Sequence, residues 1–280
     1  MTINRVVMCC KGKLLSRTAH SIYIFSSQII LVDWFMPAVH ICYLIPSIIL
    51  QEWLYPNGQT SPYVIFFSSI LAYCWYHTTL CHIFLSLNRL VAIVFYTRTV
   101  FTRGRIIGWT LAIHFIAAFL AVVKQFVLPC CMIIFDYRYF GYSAVVPPEK
   151  PPNVSSDLTF YLNVSSSAIS VSCYTSIIII MRRARANLAL SKKAALQRRN
   201  QEYRHAMQFF AMALCYCLAW VTHRYNPRLI PADASPAFYS LNALCLMANS
   251  TTNALVYLIH NKEIRQAIKS SIFREKPSNA

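Results

Sequence analysis

Acid and glycine are both scarce in this sequence. Only 9 of its 280 residues are Asp or Glu, and only 5 are Gly. Charged residues of either sign make up 12% of the chain, about half the share of an ordinary soluble domain. No G-x-x-x-x-G-K-S/T or G-x-G-x-x-G occurs, which excludes the usual phosphate-cradling loops. So few glycines also argue against spans packed through glycine. H-E-x-x-H and G-x-S-x-G are missing as well. The chain therefore reads as a non-enzyme with no cofactor. Cys74 to His77, His82, His205 and His223 do not have convincing metal-ligand spacing, so no metal is assigned. Met1 to Lys13 holds only a short apolar piece, Val6 to Cys10, and no clear cleavage site, so no signal peptide is expected.

What is present is apolar sequence in long runs. Hydrophobic residues make up 57% of the chain. Between His20 and Gln51 the only charge is Asp33, and none lies between Trp53 and Asn88. Each run can supply the roughly 20 residues that cross about 30 Å of hydrocarbon as helix. The reading is an all-α polytopic membrane protein with six spans, near 22–46, 63–87, 107–131, 158–181, 205–223 and 236–260. The 11 cysteines form no regular staple pattern. Most lie inside the apolar runs as small buried side chains. Cys130 and Cys131 fall near the outer end of the third span, with no evident disulfide partner.

The net charge of +17 is distributed in alternation. Arg5, Lys11, Lys13 and Arg17 precede the first span. Arg98, Arg103 and Arg105 lie between the second and third. Arg182, Arg183, Arg185 and Arg204 bound a basic segment between the fourth and fifth. Lys262, Arg265 and Lys269 follow the sixth. The alternate connections are poor in Lys and Arg. This positive-inside pattern places both termini in the cytoplasm and excludes nucleic acid as the reason for the charge. It also implies contact with anionic membrane lipids. The chain divides into a cytoplasmic basic segment (1–21), a transmembrane bundle (22–260) and a cytoplasmic amphipathic helix and tail (261–280).

The first outer connection, with Pro56, Asn57, Gly58 and Pro62, is rich in turn formers. The second, about 132–157, carries Pro147, Pro148, Pro151 and Pro152 and is expected to be stiff and poorly helical. Asn153-Val154-Ser155 in it is an N-glycosylation acceptor. Residues 182–204 are good helix formers. The flanking spans are therefore expected to continue as helix into the cytoplasm and to join near Ser191 or Asn200. That basic face either receives a protein partner or simply anchors the chain.

Polar residues inside the spans need a reason. Asp33 is either a switch or ion site, or a structural polar contact. Asn88 and Arg89 close the second apolar run. The last span carries Asn249, Ser250, Thr251, Thr252 and Asn253, and Asn249, Asn253 and Tyr257 share one helical face. With Asp33 they would form a hydrated polar core. The outer halves, with Tyr43, Tyr63, Phe66, Phe67, His114 through Phe126, Tyr161, Trp220, His223 and Tyr239, would line an aromatic ligand cavity. No single ligand contact is assigned. Lys124 either snorkels toward the outer surface, the favoured reading, or contacts an acidic partner.

In order and spacing these motifs resemble a nematode serpentine chemoreceptor, within the seven-helix G-protein-coupled receptor superfamily. Leu85-Ser86-Leu87-Asn88-Arg89-Leu90-Val91 looks like the end of the family's third helix. Asn253-Ala254-Leu255-Val256-Tyr257 is similar to the seventh-helix Asn-Pro-x-x-Tyr motif. Asn261-Lys262-Glu263-Ile264-Arg265 looks like the start of the amphipathic eighth helix. The Srv class is favoured, with Srx second. The resemblance implies a rhodopsin-like bundle whose six visible spans correspond to helices two to seven, with the first helix missing. A truncated gene model or a divergent six-helix product would account for that. Asn88 replaces the usual acidic neighbour of Arg89, and Ala254 replaces the seventh-helix proline.

The implied function is chemosensory signalling from the plasma membrane of sensory cells. An external small molecule would bind outside and a heterotrimeric G protein inside. Asp33, Asn88, Arg89, Asn249, Asn253 and Tyr257 would form the signalling switch. Arg98, Arg182, Arg183, Arg185 and Arg204 would face the G protein. Two other readings stay open: a membrane transporter or channel, and a truncated, non-signalling receptor remnant.

Overall fold

A computed structural model describes residues 21–94, 103–128, 130–146, 149, 153–186, 193–231 and 235–260. The apolar runs form helices because their backbone groups bond internally, the arrangement that hydrocarbon demands. They are α1 (Ser21–Val39), α2 (Ile45–Leu50), α3 (Pro62–Val94), α4 (Arg103–Val122), α5 (Val154–Ala186), α6 (Lys193–Leu229) and α7 (Ser240–His260). Two π turns interrupt them: His40–Leu44 joins α1 to α2, and Val123–Val127 ends α4. Pro37 lies just before the first, where its missing N–H already weakens the ladder.

α3 is the central helix. It packs on α1, α4, α5 and α6, while α5 meets α6, α6 meets α7 and α7 returns to α1. The outward faces are apolar: Leu111, Phe115, Phe119 and Phe126 of the α4 segment are all exposed. In lipid such exposure carries no hydrophobic penalty, so the packing must come from elsewhere. Serine supplies part of it. Ser166 and Ser170 of α5 donate to the carbonyls of Thr79 and His82 on α3, at 3.0 and 3.2 Å.

Among the described residues five helices are long and apolar enough to cross a membrane: Gln28–Leu50, Pro62–Val91, Gly104–Val127, Val154–Arg183 and Ala206–Leu229. This corrects the expectation of six. The sixth run does form a helix, α7, over 21 residues. Its consecutive polar residues Asn249 to Asn253 dilute its hydropathy.

α5 and α6 have 33 and 37 residues, about 50 and 55 Å of rise. Both outrun the hydrocarbon, as their helix-forming inner ends predict. α6 passes through Asn200 without a break, so the chain does not turn there.

The second outer connection is not merely stiff. Residues Met132–Asp136 (β1) and Gly141–Val145 (β2) form an antiparallel hairpin, with Met132 opposite Val145 and Asp136 opposite Gly141. Ile134, Phe135 and Asp136 are fully buried, so the hairpin plugs the mouth of the bundle. The first outer connection turns through Asn57 and Gly58, both at positive φ. A Cβ at Gly58 would stand 3.3 Å from the Trp53 ring, so glycine suits both the backbone and the space.

Candidate functional site: an outer cavity and a buried inner arginine

The π turn Val123–Val127 positions the outer site. Within it Lys124 and Gln125 face inward, 5% exposed each, and Phe126 and Val127 face out. Gln125 then pairs with Ile133 of β1 as a strand would. Its Nε2 donates to the Ile133 carbonyl at 3.0 Å, and the Ile133 N–H donates to its Oε1 at 3.2 Å. The Phe135 N–H donates to Ser68 Oγ on α3 at 3.1 Å. The first π turn supplies the other anchor, since His40 bonds to the Tyr142 hydroxyl of β2. Two helical irregularities and one serine thus hold the hairpin.

Between the hairpin and the outer ends of α5, α6 and α7 lies a cavity of about 650 Å³, within the usual range for small-molecule sites. Ile133, Tyr142, Thr159, Trp220, His223 and Tyr239 line it, with Lys124, Arg138, Arg224, Arg228, Asp136 and Asp157. A smaller apolar chamber lies against it, formed by Leu71, Ala72, Trp75 and Leu246. The two share Lys124, Ile133, Tyr142, Thr159 and His223 as a common wall.

The cavity's carboxylates already have partners. Asp136 is fully buried and accepts from Arg138 Nε and Nη2, at 3.0 and 2.7 Å, and from Ser143 Oγ at 2.8 Å. Burial would raise its pKa, but these bonds outweigh it and hold the carboxyl below its ordinary value. The same pair raises the pKa of Arg138. Burial pushes the Tyr142 phenol upward. Asp157 lies 3.4 Å from Arg224, which also bonds Ser156.

Sequence reasoning named only part of this wall. Trp220, His223 and Tyr239 do line the cavity. Tyr63, Phe66 and Tyr161 face outward instead, at 59, 59 and 67% exposure. Tyr43 and Phe67 stack on each other inside the core, ring centroids 5.2 Å apart. Lys124 does not snorkel. Its ammonium donates to Thr159 Oγ1 at 3.3 Å and lies 5.6 Å from the centre of the Tyr76 ring. Lys124 shares the buried face of Ile113, Ala117 and Ala121, so the helical period itself turns it inward. The hairpin's Ile133 and Tyr142 were also missed.

Below the cavity runs a polar layer. Asn163 Oδ1 on α5 accepts from Trp75 Nε1 at 3.2 Å and from the Tyr216 hydroxyl at 2.8 Å. Thr79 Oγ1 lies 2.9 Å from the same hydroxyl. This layer joins α3, α5 and α6.

At the other end of α3, Asn88 and Arg89 are buried, 2 and 6% exposed. The Arg89 guanidinium carbon stands 4.8 Å from the centre of the Phe209 ring on α6. Phe209 in turn stacks near-parallel with Tyr174 of α5, at 6.3 Å. Asp33 is 4% exposed on α1 and accepts from Thr78 Oγ1 at 3.4 Å. Asn249 is buried on α7, which packs against α1. Asn253 and Tyr257 lie on α7, and Arg185 and Arg204 on α5 and α6, but their side chains lie outside the described residues. Arg182 and Arg183 are exposed on α5. Arg98, the basic N-terminal segment and the 261–280 tail also lie outside the described residues. Asn153 is exposed, and its Oδ1 accepts from the Ser156 N–H at 2.9 Å.

A membrane bundle with a hairpin-capped cavity at one end and a buried arginine at the other is the architecture of a helical receptor. The solved structure described as "Crystal structure of squid rhodopsin" superimposes with a TM-score of 0.74 at 14% identity, covering 97% of this chain and 81% of that one. The fold is therefore the rhodopsin-like helix bundle. A family model for the serpentine type 7TM GPCR chemoreceptor Srx matches residues 2–261, and the chain belongs to that family. It is a chemosensory receptor and an integral membrane protein, not an enzyme. No curated protein matches it in sequence. The family match corrects the Srv assignment to Srx.

Proposed function

We propose that this receptor couples a ligand in the outer cavity to a heterotrimeric G protein at the inner face. The observation that carries this reading is a shared helix. α6 lines the cavity with Trp220 and His223 and sets Phe209 against Arg89, about 16 Å further along. A ligand that favours one position of α6 biases the Arg89 contact by the same motion. Asp33, Asn88, Asn249, Asn253 and Tyr257 form the rest of the switch. Arg98, Arg182, Arg183, Arg185 and Arg204 form the basic docking surface. α7 crosses the membrane as the sixth span, its polar face turned to α1. These six spans correspond to the superfamily's helices two to seven.

Arg89→Ala tests the assignment. Surface expression and ligand binding are expected to persist while G-protein activation falls. Normal activation by that variant would reject the role. Asn153 is the proposed glycan site, and Asn153→Gln should abolish a glycosidase-sensitive mass shift.

A further inference from the structure

Lys124 is a cation held in the bundle with no counter-ion among the described residues. It is only 5% exposed, and it forms no ion pair with any described residue. Its contacts are a hydroxyl, Thr159 at 3.3 Å, and the face of the Tyr76 ring. Thr159 itself donates to the Ser155 carbonyl at 2.9 Å, so the hydroxyl turns its lone pair to the ammonium. An ammonium has three N–H donors, and burial of such a charge is costly unless an anion meets it. The two carboxylates of the cavity do not supply that anion. Asp136 is committed to Arg138, and Asp157 to Arg224.

Lys124 stands on the wall between the wide cavity and the apolar chamber. His223 shares that wall, and its buried Nδ1 has no hydrogen-bond partner. One side of the wall is therefore cationic and hydrogen-bonding. The other, with Leu71, Trp75 and Leu246, is greasy.

We propose that the cavity takes a small amphipathic acid, with its anionic head on the Lys124 ammonium beside His223 and its apolar chain against Trp75 and Leu246. This inference rests on the receptor reading for its purpose, though not for its chemistry. A neutral molecule of the same size would leave the ammonium without a counter-charge, and a cation would be repelled by it.

The test uses the full chain in phosphatidylcholine nanodiscs, titrated with octanoate, octan-1-ol and octylamine and followed by tryptophan fluorescence. Octanoate is expected to bind at least tenfold more tightly than the alcohol or the amine. Lys124→Gln keeps a hydrogen bond to Thr159 but removes the charge. It should weaken octanoate binding at least tenfold and leave octan-1-ol unchanged, whereas Lys124→Arg should retain octanoate. Equal binding of acid and alcohol to the wild type would overturn the proposal without any variant having to fold. Unchanged octanoate affinity in Lys124→Gln would overturn it too.

A second arm repeats the titration in phosphatidylglycerol nanodiscs. Unchanged affinity supports a soluble acid. Lost affinity, with anionic lipid co-purifying with the wild type but not with Lys124→Gln, assigns the site to a lipid headgroup and rejects the soluble acid. G-protein activation is measured separately. Charge-selective binding without activation would sink the coupling reading and leave this inference standing. Activation by a neutral compound, indifferent to Lys124→Gln, would do the reverse.

Discussion

The guanidinium of Arg89 lies over the ring of Phe209, 4.8 Å from its centre. A cation on α3 thus meets the negative face of an aromatic on α6, and the residue before it in the chain is Asn88 rather than an acid. Such contacts contribute about 0.5–2 kcal/mol, more when desolvated. Both residues are buried, which favours the upper part of that range.

If that contact holds α6 in the non-signalling position, Phe209→Leu should raise ligand-independent G-protein activation. The free energy above corresponds to a rise of roughly 2- to 30-fold. Tyr174 stacks near-parallel with the Phe209 ring, so Tyr174→Leu should move activity in the same direction by less. Basal activity unchanged in Phe209→Leu would remove the ring from the switch.

The outer hairpin should be sensitive to acid through Asp136. Its carboxyl titrates below the ordinary 3.8, because Arg138 and Ser143 outweigh its burial. A carboxylate with a depressed folded pKa contributes stability above its unfolded value, and that contribution is lost as pH falls through the folded one. The melting temperature in detergent should therefore drop as pH is lowered below about 4. Asp136→Asn should flatten that acid slope and cost about 1–3 kcal/mol at neutral pH, since Arg138 loses its partner. A wild-type acid slope in Asp136→Asn would show that another group governs it.

Gln125 ties the hairpin to α4 with two hydrogen bonds. Gln125→Leu leaves the Ile133 N–H and carbonyl unpaired, at a cost of about 1–3 kcal/mol. Hydrogen exchange should accelerate in residues 132–145 before it does so in α3. Uniform acceleration across the bundle would mean that the bond supports global stability rather than the hairpin.

Asn163 holds two buried donors, Trp75 Nε1 and the Tyr216 hydroxyl. Asn163→Leu strands the Trp75 N–H, at about 1–3 kcal/mol, and leaves the Tyr216 hydroxyl only Thr79 Oγ1 as acceptor. Asn163→Asp keeps the acceptor and should fold better. A Leu variant as stable as the wild type would show that water takes over the indole donor.

The sequence by itself determined the class of molecule and much of its plan. Continuous apolar runs of about 20 residues require helices in lipid, because a helix satisfies all its backbone groups within the run, whereas barrel strands are shorter and alternate in polarity. The helix-forming stretch after the fourth span foretold that α5 and α6 extend beyond the membrane. Asn88-Arg89, Asp33 and the polar run from Asn249 pointed to the receptor superfamily, though not to Srx rather than Srv.

What the tertiary structure decided lies at the irregular places. Lys124 and Gln125 continue the buried face of Ile113, Ala117 and Ala121. What the fold adds is the partners they meet there, Thr159 and Ile133. The hairpin depends on partners far away in the chain, Ser68 on α3 and His40 before α2, so no local pattern announces it. Phe209 reads in sequence as one more apolar residue. Only the crossing of α3 and α6 sets its ring beneath Arg89 and makes that arginine part of a contact a ligand can shift.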